Sequence, residues 1–115
     1  MRVALVFLVL PAFAKVNFMR DVKPILELHC VRCHGADRAM KNLRLDGRER
    51  AMRAIVAGKP EESVLYLSIK TSFMPPGADK ISASELETLR RWIAEGARWP
   101  KNAQLEPKNP FVKEN

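Results

Sequence analysis

The chain has 115 residues, with 20 Lys and Arg against 13 Asp and Glu, a formal charge of +7 and only two cysteines. That length suffices for one small domain whose apolar core alone gives marginal stability, and it excludes two. Two thiols exclude a disulfide framework and a four-cysteine zinc site, and the basic residues lack the aromatic interleaving used to bind nucleic acid.

Met1-Arg2, the apolar run Val3 to Leu10 and then Ala12-Phe13-Ala14 have the form of a secretory leader with cleavage after Ala14. A retained membrane anchor is the rival reading, although the run is well short of the roughly 20 residues that cross a bilayer. The expected organisation is therefore a signal peptide at 1–14, a folded domain at 15–100 and an extended polar tail at 101–115.

Val22, Ile25, Leu26 and His29 recur at helical spacing and predict a first helix with one packing face. Pro24 belongs in a first turn, so Asp21 is preferred to Asn17 as the N-cap, and Gly35 as the stop. Between them lies Cys30-Val31-Arg32-Cys33-His34, which consumes both cysteines. In an exported chain this run reads as a covalent c-type haem site: the thiols form thioethers with the vinyl groups and the adjoining imidazole binds iron. A thioredoxin-like redox pair would sit on a strand-to-helix turn, and the apolar pattern shows no convincing strand. A zinc site would need ligands beyond Cys30, Cys33, His34 and His29.

Further along, Asp46 and Glu49 have capping-box spacing before a short helix that Gly58 ends. Pro60, Glu61 and Glu62 open another helix, with Val64, Leu65 and Ile69 as its packing face. Leu45, Ile55, Leu65 and Ile69 suit a ring-lining role or a plain core equally. Arg44 and Arg53 are possible propionate donors, against the alternative of solvent-facing charge. The last helix is signalled by the Ser82/Glu85 capping box and by Leu86, Leu89, Trp92 and Ile93, with Gly96 near its end. Trp92 and Trp99 read as packing residues in preference to redox relays. The segment from 101 onward turns polar, with Pro107 and Pro110, and is expected to be extended.

A second iron ligand must come from another segment. Met74 lies in Phe73-Met74-Pro75-Pro76-Gly77, where the prolines bias it toward extended backbone and restrict the loop. Met40 and Met52 are competitors, since Met more often fills core gaps than binds iron. His29 is a poor alternative because it immediately precedes Cys30.

The ordered set Phe18, Asp21-Val22-x-Pro24-Ile25-Leu26, Cys30-x-x-Cys33-His34-Gly35, Leu43-Arg44-Leu45-Asp46, Gly58-x-Pro60-x-x-Ser63-x-Leu65, Met74-Pro75-Pro76 and Trp92-Ile93-x-x-Gly96-Ala97-x-Trp99-Pro100 resembles the planctomycete-type cytochrome c domain, a branch of the class I cytochromes c. The resemblance implies an all-α, small cytochrome c-like fold with the first and last helices packed beside a single haem c, His34 proximal and Met74 distal. Family members often occur as modules fused to larger domains, whereas this chain looks free-standing.

The expected function is that of an exported, periplasmic one-electron carrier between a donor and an acceptor redox protein, and not an enzyme. No nucleic-acid partner is expected, and membrane contact only through a retained leader. The alternative is a haem-based sensor in which Met74 dissociates and admits a small ligand. A peroxidase finds little support without an evident distal acid–base residue.

Overall fold

Pro24 governs how the first helix begins, because it lacks an N–H and its ring conflicts with the carbonyl four residues back. In the computed structural model, which describes residues 15–31, 34–35, 42–71, 74 and 81–108, the chain answers with a π-helical turn at Phe18–Val22. The Lys23 N–H reaches back five residues to the Phe18 carbonyl, and α1 follows at Lys23–His29. The wider turn removes the need for a regular bond where Pro24 has none to give. It also moves the cap: Asn17, not Asp21, is the N-cap, its side chain accepting the Arg20 N–H. Asp21 reciprocates by accepting the Asn17 N–H at 2.9 Å. Val22, Ile25 and Leu26 are buried, as the helical spacing predicts.

Two local expectations in the middle of the chain give way to tertiary structure. Helix α2, Arg48–Ala51, is capped by Gly47 without a side-chain bond and continues as a 3-10 turn at Met52–Ala54. The Asp46–Glu49 capping box does not form, because both Asp46 carboxylate oxygens are taken by the Arg44 guanidinium at 3.0 and 2.6 Å. A charge-assisted bidentate pair is stronger than a carboxylate bond to one neutral N–H. The segment at Pro60 splits into a 3-10 turn, Pro60–Glu62, and α3, Val64–Lys70. Ser63 separates them: fully buried, its hydroxyl accepts the Val56 N–H and donates to the Lys59 carbonyl, both at 2.9 Å. Restarting the helix after Ser63 rotates its face, so Leu65, Tyr66 and Ile69 are buried while Val64 is 59 % exposed.

Helix α4, Ala83–Ala94, matches its local signals closely. Ser82 and Glu85 form both bonds of the capping box, and Leu89, Trp92 and Ile93 face the core. It closes in a Schellman motif, with the Gly96 N–H on the Ile93 carbonyl and the Ala97 N–H on the Trp92 carbonyl. Gly96 adopts φ +112°, a left-handed conformation for which glycine is suited. The Gly58 N–H also reaches the Ile93 carbonyl, so the turn before α3 docks on the end of α4.

The described residues are helical and contain no strand, in agreement with an all-α class. Phe18, Trp92 and Trp99 form one aromatic cluster, with ring centroids 4.5 to 6.1 Å apart, that joins the first turn of the chain to α4. Both indole N–H groups are satisfied, by the Arg98 and Ala103 carbonyls, which fits packing residues. Residues 101–102 form a turn, and 103–108 run on without regular secondary structure, held against the body. Leu105 is buried, its N–H donates to the Asp46 carbonyl, and the Glu106 N–H donates to the buried Glu27 carboxylate. Among the described residues no helix is long and apolar enough to cross a membrane. The expected leader, residues 1–14, lies outside the described residues.

Candidate functional site

Helix α1 carries the site at its carboxy-terminal end. The Leu26 carbonyl accepts both the Cys30 and the Val31 N–H, each at 2.9 Å, and the helix unwinds there. The chain then turns so that the His34 N–H donates to the Cys30 carbonyl at 3.0 Å. This bond brings the two described members of the motif together, with Cys30, Val31 and His34 all buried. Gly35 has a steric reason to be glycine: a Cβ there would collide with the Val31 carbonyl oxygen. The other side of the turn is fixed by the Leu45 N–H, which donates to the His34 carbonyl at 2.6 Å.

His34 is 9 % exposed, and its Nδ1 has no hydrogen-bond partner among the described residues. A buried polar group left unpaired costs about 1–3 kcal/mol. The chemistry of this donor set fits a c-type haem: a buried thiol and a buried, incompletely satisfied imidazole close together in the chain. Among the described residues no group of three or more His, Cys, Asp and Glu side chains is placed to hold a metal ion.

His29, read from the sequence as a polar helix-end residue, turns its Nε2 to Glu85 at 3.0 Å. This contact ties the helix before the motif to the start of α4. Glu85 therefore has two roles, cap and tether, of which the local pattern disclosed only the first. Burial works against its charge, but hydrogen bonds from Ser82 and the His29 ring prevail and hold the carboxyl below its ordinary range. Arg44 is engaged by Asp46; that bond, acting against burial, keeps the Asp46 carboxyl low. Arg53 is exposed. Leu45, Ile55, Leu65 and Ile69 are all core residues.

Met74 is half-buried, and its N–H donates to the Ser68 carbonyl at 3.1 Å, which anchors it to the last turn of α3. Met52, the C-cap of α2, packs on the core and borders a surface cleft. Cys33, Met40, Phe73 and the Pro75-Pro76-Gly77 run lie outside the described residues.

A helical chain with a Cys-x-x-Cys-His motif after its first described helix, and a buried imidazole at His34, resembles the c-type cytochromes. Residues 30–77 match the family model described as Planctomycete cytochrome C. That segment, which includes both the Cys30–His34 motif and Met74, is similar to the planctomycete-type cytochrome c family. That family implies haem c binding and haem-based electron transfer. The comparisons with curated proteins and with solved structures return no match.

Proposed function

We propose that the chain is an exported mono-haem electron carrier, with haem c attached through Cys30 and Cys33, His34 and Met74 as axial ligands, and the first and last helices beside the ring. The observation that carries this reading is the buried His34 imidazole, unpartnered at Nδ1, within a Cys-x-x-Cys-His turn of the matched segment. When bound, the haem supplies a reversible ferrous–ferric couple.

The protein's part is to hold and insulate that group. The Cys30 carbonyl and the Leu45 N–H clamp the backbone of His34 from both sides, limiting where its ring can turn. Ser68 anchors Met74, and Pro75 biases it toward extended backbone, so the thioether is presented with little ordering entropy left to lose. A thioether ligand raises the potential relative to two imidazoles, and an apolar surround disfavours the additional positive charge of ferric iron. No substrate bond is made or broken; the partners are a donor and an acceptor redox protein.

The test is a spectroelectrochemical titration of protein matured in an export-competent host, with Met74→Ala alongside. One reversible one-electron wave is expected, together with a weak far-red thioether-to-iron band that Met74→Ala abolishes while lowering the potential. A variant with unchanged band and potential overturns the Met74 assignment, and the absence of any one-electron wave overturns the carrier.

A further inference from the structure

A cleft of about 660 Å³ opens between the 44–52 segment and the start of the carboxy-terminal strap. It is lined by four cations, Arg44, Arg48, Arg50 and Lys101, against two carboxylates, Asp46 and Glu49. Arg44 and Asp46 neutralise each other in their bidentate pair and form a fixed wall. The rim is then three exposed cations to one acid. Among the described residues Arg48 and Lys101 make no ion pair, and Arg50 contributes only longer-range attraction to Asp46. The concavity is built in: the Gln104 side chain lies so close to Gly47 that a Cβ there would sit 3.2 Å from its Oε1.

Like charges gathered on a concave rim repel one another and are stabilised by an anionic occupant. The cleft also adjoins the site. Arg44 and Asp46 flank Leu45, whose N–H is bonded to the His34 carbonyl at 2.6 Å. We infer that this cleft is a docking site for an acidic segment of a redox partner protein, whose carboxylates enter between Arg48, Arg50 and Lys101 on the His34 side of the molecule. This inference rests on the electron-carrier reading for the nature of the partner. Its charge complementarity rests on the cleft alone. Rim charges of this kind chiefly speed and orient encounter, as rapid exchange between redox proteins requires.

The test is titration of the isotopically labelled holoprotein with a hexaglutamate peptide, with hexaglutamine and inorganic phosphate as comparisons, at low and at physiological ionic strength. Shifts are expected to centre on residues 44–52 and 101–104, to weaken with salt and to be absent with hexaglutamine. The variant R48Q/R50Q/K101Q is expected to bind hexaglutamate about tenfold more weakly, whereas K15Q/K59Q/R98Q, of the same net charge, changes binding less than about twofold. Equal losses in the two variants, or no preference over hexaglutamine, overturn the cleft. Hexaglutamate binding no tighter than phosphate assigns a small-anion site and overturns the protein partner. Each variant is also titrated electrochemically: loss of the one-electron wave in wild type removes the carrier reading while leaving the peptide result to stand by itself.

Discussion

Leu105→Ala tests whether residues 101–108 belong to the folded body. Leu105 is 3 % exposed, the one buried side chain in a run of polar residues, and its backbone is bonded to the Asp46 carbonyl. Removing three carbons forfeits about 2.4 kcal/mol of transfer free energy at ~0.8 per methylene. The cavity left behind raises the cost, and buried Leu→Ala changes fall at roughly 2–5 kcal/mol. For a domain of this size, where 1 kcal/mol moves Tm by about 4–8 °C, a fall on the order of 10 °C or more is expected. The assay is urea and thermal unfolding of the holoprotein, with Glu106→Ala as the control. Glu106 is exposed and contributes its backbone N–H to Glu27, so its truncation is expected within about 0.5 kcal/mol of wild type. A Leu105→Ala protein as stable as that control refutes the docking of the strap.

Gly35→Ala places a methyl group against the Val31 carbonyl oxygen and is expected to cost about 1–3 kcal/mol and to lower haem incorporation; wild-type unfolding and pigment yield would contradict it. Ser82→Ala removes the acceptor of the Glu85 N–H and is expected to cost about 1 kcal/mol in urea unfolding, with an unaltered midpoint as the contrary result. Asp21 is drawn down to about 2 from 3.8 by its bond to Arg20 and by the Asn17 N–H. A depressed carboxyl contributes stability above its unfolded value, and that contribution is lost as pH falls through the folded one. Between about pH 4 and 2 the wild type is therefore expected to lose stability more steeply than Asp21→Asn, modestly because Arg20 is exposed and solvent screens the pair. Superimposable acid limbs would remove that role.

What was legible in the sequence was local. The Ser82/Glu85 cap, the Leu89–Trp92–Ile93 face and the turn ending at His34 each depend on residues a few positions apart, so spacing alone discloses them. The misreadings arose where a distant or competing partner decided the outcome. Asp46 had the spacing of a cap, but Arg44 claims its carboxylate. Ser63 interrupts what Pro60 begins because its hydroxyl is committed to Val56 and Lys59. The polar composition of 101–108 does not disclose its contacts with the body, which rest on buried Leu105 and on the Leu105, Glu106 and Lys108 N–H groups bonded to Asp46 and Glu27. At the candidate site, the tether from His29 to Glu85 spans 56 positions and no local pattern encodes it.

Acid–acetone extraction followed by intact mass measurement of protein matured in an export-competent host tests the central claim most directly. Pigment that stays with the polypeptide, and a mass equal to the chain plus one haem that is lost when Cys30 and Cys33 are replaced by Ala, is the predicted result. Pigment that passes wholly into the solvent, leaving the bare polypeptide mass, would contradict it.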